Sequence, residues 1–289
     1  MTGVQVMEAD VELDLRCRLG EGPAWDERTS ELIFVDILSG DVHRYDPLDG
    51  SRHVHPTGQP VGAAVPRSHG GLLLAIRDGF ATFDPASGDM ASIAHVPLGP
   101  AEERMNDGKG DPAGRFWAGT QSADGVHGAA ALYRLDTDGT VTKVLADVTV
   151  SNGLAWSPEG DTMYYVDTAT GGVDAFTYTS DAGELTDRRR VVDVTRGVPD
   201  GMTVDSEGCL WVALFGGAAV HRYTPDGRLD AVVELPVSLV TSCAFGGPDL
   251  DVLFITTASH RLQRPEPLAG ALFSCRPGKR GLPTAPYDG

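Results

Sequence analysis

SNGLAWSPEG, residues 151–160, places an asparagine and a glycine directly before an apolar run that ends in a turn. The arrangement recurs in LGEGPAWDER at residues 19–28 and in VPDGMTVDSEG at residues 198–208. In each copy a side chain that carries oxygen directly precedes the glycine. These side chains are Glu21, Asn152 and Asp200. Repetition of one stretch at long intervals indicates a fold built from similar units.

The repeating unit contains several strands. Each copy runs from an apolar segment through turn residues, such as SPEGD or DPAGR, into a second segment that resembles a strand. Five copies begin at a glycine, spaced by 40, 46, 45 and 48 residues, and a sixth begins at a cysteine: Gly22, Gly62, Gly108, Gly153, Gly201 and Cys243. A period of about 40–45 residues is typical of a β-propeller blade. The sequence therefore predicts an all-β fold, a six-bladed β-propeller with four-stranded blades around a central channel.

The rest of the chain agrees with one such propeller. Among 289 residues, 36 glycines and 19 prolines are scattered, as expected for many short strands joined by tight turns. We predict a single domain over residues 1–289, with the ordered propeller beginning at about residue 11. The segment VELDLRCRL at residues 11–19 alternates like a strand. We expect it to pair with the last blade, which closes the ring and removes an open sheet edge.

The charge of the chain restricts its partners. A net charge of −18 repels nucleic acid and anionic membranes, so we predict neither as a partner. A cation or a neutral substrate suits this charge better. The amino-terminal sequence has no signal-peptide pattern, and no apolar run approaches the roughly 20 residues of a membrane span. We therefore expect a cytoplasmic protein that is a monomer or a weak homo-oligomer.

The position before the shared glycine is the candidate site. The first strand of a propeller blade lines the channel, so equivalent positions in different blades converge on one axis. This position is held in the six copies by Glu21, Val61, Asp107, Asn152, Asp200 and Ser242. Asparagine and aspartate before glycine also commonly make turns, so one copy alone would not indicate a site. Recurrence in several copies, including a glutamate, favours a shared site.

Carboxylate and amide oxygens form a hard-oxygen site. Such a site takes Ca²⁺ readily and also Mg²⁺ or Mn²⁺, whereas Zn²⁺ usually requires nitrogen or sulfur as well. With about three protein ligands, the ion keeps positions open for water and substrate. An open metal site can polarise a carbonyl and activate a water, which suits hydrolysis of an ester or a lactone. A carboxylate beside the ion can accept the proton of that water.

Longer motifs add a family resemblance. LGEGPAW, RMNDGKGDPAGRFWAGT, SNGLAWSPEGDTMYYVDT, PDGMTVDSEGCLWVALFGG, TSCAFGG and APYDG occur in this order. From about residue 17 to the end, the chain resembles the regucalcin (senescence marker protein)/gluconolactonase family. The resemblance implies a six-bladed propeller with one divalent cation in its channel, Ca²⁺ first, with Zn²⁺, Mn²⁺, Mg²⁺ or Fe²⁺ as alternatives. The family's characterised enzymes hydrolyse aldonolactones to aldonic acids.

The resemblance also implies metal ligands. The metal-binding glutamate, asparagine and aspartate of the family fall on Glu21, Asn152 and Asp200. These three residues are the ones that the repeat had already singled out. The resemblance further implies that Asp200 is the catalytic general base, which takes a proton from the attacking water.

Four more residues receive roles from the resemblance. Arg104 and Asn106, in RMNDG, match the arginine and asparagine that contact substrate in the family. Asp107 shares the repeat position, yet the family pattern gives the main role to its neighbour, which places Asp107 beside the ligand set. Asp124 stands where some relatives have a glutamate that holds sugar hydroxyls. Its shorter side chain leaves the substrate preference open.

Together these observations predict a divalent-metal-dependent hydrolase that opens a sugar lactone to the aldonic acid. The substrate would be an aldonolactone such as glucono-1,5-lactone or a pentonolactone. Two alternatives stay open: a non-catalytic, calcium-binding regulatory propeller, and a related propeller that hydrolyses phosphotriesters with the same metal. An interaction propeller of the WD40 type is disfavoured because the chain lacks recurring GH and WD signatures.

Overall fold

Six sheets follow one another along the chain in the computed structural model, which describes residues 3–289. This arrangement confirms the predicted six-bladed β-propeller. The strands before the first blade and in blades 1 to 3 are β1 Gln5–Glu8, β2 Asp10–Leu13, β3 Gly20–Asp26, β4 Glu31–Asp36, β5 Asp41–Tyr45, β6 Arg52–Pro56, β7 Val61–Pro66, β8 Leu72–Ile76, β9 Gly79–Phe83, β10 Met90–His95, β11 Glu102–Gly110, β12 Phe116–Ser122, β13 Ala130–Leu135 and β14 Val141–Val148. Those of blades 4 to 6 are β15 Ser151–Trp156, β16 Thr162–Asp167, β17 Gly172–Thr179, β18 Glu184–Asp193, β19 Val198–Val204, β20 Leu210–Phe215, β21 Ala219–Tyr223, β22 Leu229–Glu234, β23 Val240–Gly246, β24 Val252–Thr257 and β25 Leu272–Cys275.

Helical structure is confined to single turns. In the part of the chain that the structure describes, the helices are two 3₁₀ turns, Ala123–Gly125 and Thr168–Thr170. Neither is long and apolar enough to cross a membrane. Both follow a strand directly, and both contain a residue that lines the channel mouth.

The amino-terminal segment closes the ring. Strand β2 pairs antiparallel with β25 and becomes the outer strand of blade 6, as predicted. Glu12 of β2 accepts hydrogen bonds from Tyr45 of blade 1, at 2.7 Å, and from Ser274 of blade 6, at 2.6 Å. Its carboxylate therefore ties the first blade to the last.

The sequence did not predict β1. This strand lies ahead of residue 11, where the ordered propeller was expected to begin, and pairs parallel with β22 as a fifth strand of blade 5. Exposed residues dominate β1, so its sequence carried no clear strand pattern. Residues 1 and 2 lie outside the described residues, and the single-domain assignment of residues 1–289 stays a prediction.

Aspartates in the turns fix two of the inner hairpins. In D-x-x-G-x-x-W, Asp111 and Asp205 each accept backbone N–H groups from two and four residues further on. The second carboxylate oxygen accepts the indole N–H of the tryptophan six residues on, Trp117 or Trp211, at 2.8 and 2.9 Å. Each carboxylate therefore satisfies turn donors that would otherwise be buried without partners.

Aromatic side chains pack neighbouring blades together. All four tryptophans are buried and belong to the hydrophobic clusters between sheets. Ring pairs that cross from one blade to the next are Trp25–Phe254 at 6.2 Å, Phe80–Phe116 at 5.9 Å, Trp117–Trp156 at 6.1 Å and Trp211–Phe245 at 5.6 Å between centroids. Aromatic pairs contribute about 0.5–1.5 kcal/mol each beyond the area that they bury.

The glycine of the repeat allows the inner strands to approach one another. A Cβ on Gly153 would lie 2.7 Å from the carbonyl oxygen of Asp200, and one on Gly201 would lie 2.1 Å from Oγ of Ser242. The pairing register also shifts at this position, between Asn152 and Leu154 in β15, for example. Such bulges redirect side chains, and here they turn the preceding residue toward the channel.

The carboxyl-terminal tail crosses the far side of the ring. After β25, the carbonyl of Arg280 accepts the Ser206 N–H of blade 5, at 2.8 Å. The tail then reaches blade 2, where the Tyr287 N–H donates to the Pro66 carbonyl at 2.9 Å. Tyr287 is almost fully buried. The tail therefore straps blades 5 and 6 to blades 2 and 3 below the channel.

Deleting residues 1–13 should destabilise the protein strongly. The deletion removes β2, leaves blade 6 with three strands and takes away the carboxylate of Glu12. We expect the Tm in thermal unfolding to fall by at least about 5 °C. Deleting residues 1–9 removes β1 alone and should have a smaller effect. Equal Tm values for the full chain and the 1–13 deletion would contradict closure by β2.

Candidate active site

Two cavities lie along the channel. The first, of about 610 Å³, is lined by the beginnings of the inner strands and forms the channel mouth. The second, of about 270 Å³, is lined by the ends of those strands and by residues 282–285 of the tail. The inner strands therefore run from the mouth toward the side that the tail covers.

Six of the seven predicted site residues meet at the channel mouth. They come from blades 1, 3, 4 and 5: Glu21, Arg104, Asn106, Asp124, Asn152 and Asp200. Asp124 is exposed in the 3₁₀ turn after β12, and the other five are buried. The seventh, Asp107, lines the lower cavity with Lys109. The structure thus brings together side chains that are far apart in the sequence.

A directed chain of hydrogen bonds crosses the mouth. Thr168 donates its hydroxyl hydrogen to the carbonyl of Pro199 at 2.8 Å, so it can only accept from Asn152 Nδ2, at 2.9 Å. This contact fixes the Asn152 amide with Nδ2 toward Thr168 and Oδ1 toward the cavity. Asn106 Nδ2 donates to Oδ1 of Asn152 at 3.3 Å and to the Ser151 carbonyl at 2.9 Å.

The chain continues to the wall of blade 3. Arg104 donates to Oδ1 of Asn106 at 2.8 Å and to Oε1 of Gln121 at 3.0 Å. Gln121 in turn donates to Glu103 at 2.6 Å. Each side chain in this series of hydrogen bonds therefore fixes which atom of its neighbour donates and which accepts. The guanidinium of Arg104 is therefore held in place before any ligand arrives.

The two carboxyl groups at the mouth repel each other. Burial raises the pKa of Glu21 well above its ordinary value, and repulsion from Asp200 and Asp107 raises it further. Burial likewise raises the pKa of Asp200, followed by repulsion from Asp107, against the opposing effect of the Asn152 amide. The ionised forms of these carboxyls need a positive charge that the protein alone does not fully supply.

Two cationic side chains offset part of this charge. Arg104 is buried, and desolvation lowers its pKa to about 10. Lys109 donates to the carbonyl of Met202 at 2.7 Å, and its charge opposes the rise that burial causes in the pKa of Asp107. The charge of Lys109 therefore offsets that of Asp107 below the mouth, where both residues line the lower cavity.

The mouth has the properties of a cation site. Oδ1 of Asp200 is buried and has no hydrogen-bond partner within residues 3–289. A buried carboxylate oxygen without a partner is unfavourable unless an ion or a water meets it. Glu21, Asn152 and Asp200 supply carboxylate and amide oxygens without nitrogen or sulfur, which fits a hard divalent cation such as Ca²⁺ or Mg²⁺.

A second acidic group lies elsewhere. Asp205, Glu207 and Cys209 come close together in the turn of blade 5. Arg222, also buried, already pairs with Asp205 at 2.8 Å and with Glu207 at 2.6 Å, and Asp205 holds the turn. The guanidinium occupies the place that a cation would take. This group is therefore an ion-pair network within the blade.

Sequence reasoning missed several residues at the mouth. Thr168 and Gln121 line the cavity and fix Asn152 and Arg104 through the hydrogen bonds described above. His260 and Arg261 reach the cavity from the loop between β24 and β25. Thr168 follows the strand MYYVD, and no other blade has a threonine directly after its second strand, so the repeat does not indicate it. The loop residues carry no repeat signal.

Fold and cavity define the chain as a six-bladed β-propeller whose channel mouth collects carboxylate, amide and guanidinium groups from five blades. The model of the SMP-30/gluconolactonase/LRE-like region matches residues 19–259. The chain belongs to this family, as the motifs predicted.

Individual relatives extend over nearly the same length. The chain is 42% identical over 248 residues to the pentonolactonase XacC of Haloferax volcanii, covering 85% of this chain and 84% of that protein. It is 40% identical over 282 residues to the regucalcin of Danio rerio, covering 94% and 95%. The crystal structure of a calcium-binding protein, the regucalcin of Agrobacterium tumefaciens, superimposes with a TM-score of 0.92 at 30% identity and covers 99% of each chain.

Replacing Thr168 by valine should weaken cation binding. Valine keeps the shape of threonine but cannot accept from Asn152 Nδ2, so the amide loses its fixed orientation. Partners of metal ligands typically contribute about 10- to 100-fold in affinity. We expect a loss at the lower end of this range, measured by calorimetric titration with Ca²⁺. Thr168→Ser keeps the hydroxyl and should bind like the parent, and equal affinities for Thr168→Val and Thr168→Ser would contradict this role.

Proposed function

We propose that this protein is a divalent-metal-dependent lactonase that opens a sugar lactone to the aldonic acid. The observation that supports it most directly is the unpartnered Oδ1 of Asp200, which lies among oxygen donors from other blades at a cavity large enough for a sugar. The pentonolactonase among the relatives supports the reaction class, and the calcium-binding regucalcin supports the cation.

Glu21, Asn152 and Asp200 would hold the cation. Two carboxylates balance a divalent charge, and the Asn152 Oδ1 is already oriented by Thr168 and Asn106. When bound, a divalent cation supplies a Lewis acid that polarises the lactone carbonyl and lowers the pKa of a water. Ca²⁺ is the first choice for an all-oxygen site, with Mg²⁺, Mn²⁺, Fe²⁺ and Zn²⁺ as alternatives.

Asp200 would act as the general base. Its carboxylate takes one proton from the attacking water as the oxygen of that water bonds to the lactone carbonyl carbon. The bond from this carbon to the ring oxygen then breaks, and the ring oxygen takes the proton from Asp200 to become a hydroxyl, which restores the carboxylate.

Arg104 would orient the substrate and stabilise negative charge. Its guanidinium is buried and held by Asn106 and Gln121, so it presents donors with little loss of side-chain entropy. Negative charge develops on the carbonyl oxygen during attack and remains on the product carboxylate. Preorganised donors near that charge lower the barrier.

Asp124 would contact sugar hydroxyls at the edge of the cavity. It is exposed and stands in a turn with a φ of 52°, a conformation in which few residues other than glycine, asparagine and aspartate occur. Carboxylates accept hydrogen bonds from hydroxyl groups. The short side chain reaches less far than a glutamate would, which favours substrates that extend toward blade 3.

A lactone panel tests the proposal. The purified protein is stripped with a chelator, reloaded with one cation at a time, and assayed for acid release from glucono-1,5-lactone and from pentonolactones. We expect turnover that disappears on chelation and returns with a divalent cation. Cation binding without hydrolysis of any lactone would instead support the non-catalytic calcium-binding alternative. Hydrolysis of a phosphotriester alone would support the other alternative.

Asp200→Asn should separate catalysis from cation binding. The amide keeps one oxygen for the cation but cannot accept the proton, so kcat should fall by about 10²- to 10⁴-fold. Calorimetry should still detect a bound cation at reduced affinity. Asp124→Asn is the matched change at the edge of the same cavity, and it should raise KM more than it lowers kcat. An unchanged kcat in Asp200→Asn would contradict its role as a base.

Stabilisation by the cation should increase with pH. The raised pKa values of Glu21 and Asp200 mean that, without a cation, both carboxyl groups stay protonated in acid. The folded protein then loses stability as rising pH ionises them. A cation binds the ionised forms and removes this penalty. The difference in Tm between Ca²⁺ and chelator should therefore be larger at pH 7.5 than at pH 5. The opposite order would contradict binding to these carboxylates.

A further inference from the structure

Two walls of the channel mouth differ in charge. Blade 3 supplies the exposed carboxylates of Glu103 and Asp124 and the buried guanidinium of Arg104. Blade 6 supplies His260 and Arg261 from the loop after β24. In a ring of six blades, the third and sixth face each other across the channel. A ligand that spans the mouth therefore meets exposed carboxylates at the end over blade 3 and the exposed guanidinium of Arg261 at the end over blade 6.

The position of Arg261 is built into the fold. Its φ of 70° is uncommon for a residue other than glycine, and such a conformation persists only where the surrounding structure imposes it. The preceding residues are anchored, because the Ser259 hydroxyl donates to the Cys17 carbonyl at 2.9 Å and the His260 N–H donates to the Arg18 carbonyl at 2.9 Å. These contacts hold the start of the loop against the segment that enters blade 1.

The charge of Arg261 is not neutralised by the protein. Arg276 and Arg280 of the same blade pair with Asp251 and Asp249. Arg261 takes part in no ion pair among residues 3–289, although the chain has a net charge of −18. It is also close enough to Arg104 that their repulsion adds to burial in lowering the pKa of Arg104. An anionic group bound to Arg261 would relieve that repulsion.

We propose that the substrate is a sugar lactone that also carries an anionic substituent, a phosphate or a carboxylate. Arg261 binds this substituent at the end of the mouth opposite the sugar hydroxyls. This inference rests on the proposed lactonase function. The ring carbonyl lies over Glu21, Asn152 and Asp200, the hydroxyls face Asp124, and the anion faces blade 6. The cation offsets the two carboxylates at the centre, which would otherwise repel such a substrate.

Arg261 acts on specificity and takes no part in the chemical step. The bond that breaks joins the carbonyl carbon and the ring oxygen, and Arg261 contacts a substituent remote from both. Its contribution should therefore appear with anionic lactones alone. Hydrogen bonds to charged groups contribute about 10- to 100-fold in affinity.

Matched substrates and variants test this proposal. The loaded enzyme is assayed with glucono-1,5-lactone, its 6-phosphate and glucaro-1,5-lactone, which differ only in the terminal substituent. Arg261→Gln is compared with Arg264→Gln, a change of an exposed arginine in the same loop that does not line the cavity. Both variants remove one positive charge, so any effect of net charge is the same in the two.

We expect the parent protein to prefer at least one anionic lactone over the neutral one by about tenfold or more in kcat/KM. Arg261→Gln should lower kcat/KM for that anionic lactone by about 10- to 100-fold and leave the neutral lactone within about twofold. Arg264→Gln should leave both unchanged. A preference for the phosphate alone or the carboxylate alone identifies the source of the anion. No preference in the parent, or equal losses in the two variants, would overturn the proposal.

A binding measurement separates this proposal from the proposed function. Calorimetry compares 6-phosphogluconate and glucarate with gluconate, in the parent and in Arg261→Gln. Tighter binding of a doubly anionic acid that is lost in Arg261→Gln supports the anion site even if no lactone is hydrolysed. Hydrolysis of neutral lactones together with equal binding of all three acids would keep the lactonase and overturn the anion site.

Discussion

The close approach of the inner strands around one axis is the constraint on which the rest of the structure depends. At Gly153 and Gly201 a neighbouring blade leaves no room for a Cβ. The bulges at this position turn the preceding side chains into the channel. One backbone feature therefore lets neighbouring blades pack closely around the axis and, at the same time, gathers the functional groups. The repeat carries the fold and the site together.

Concentrating carboxylates in this way has an energetic cost. Burial raises the pKa values of Glu21, Asp107 and Asp200, and repulsion from Asp107 raises those of Glu21 and Asp200 further, while Arg104 and Lys109 offset only part of this charge. Such a cluster opposes folding unless a cation occupies it. The hydrophobic clusters between the blades, and the tail that links blades 5 and 6 to blades 2 and 3, supply stability that offsets this cost. Functional sites typically hold side chains in arrangements that lower the stability of the folded protein.

Charge acts on two length scales in this protein. The net charge of −18 describes the surface as a whole, and at physiological salt it is screened beyond about 8 Å. Inside the mouth, Arg104 and Arg261 create a basic region that the overall charge does not reveal. Considering net charge alone favours a neutral substrate, whereas the local arrangement favours a substrate with an anionic end.

The sequence by itself determined the six-bladed propeller and its closure by an amino-terminal strand. It also predicted that Glu21, Asn152 and Asp200 meet at the channel, because a repeated blade places equivalent positions on one axis. The structure decided that Asp107 lies below the mouth, because the bulge in β11 sends Asn106 and Asp107 to different cavities. It alone revealed β1, the Thr168 contact and Arg261. Strand β1 depends on a parallel pairing, the Thr168 contact on the direction of one hydrogen bond, and the position of Arg261 on a loop that is not part of the repeat. None of the three leaves a periodic pattern in the sequence.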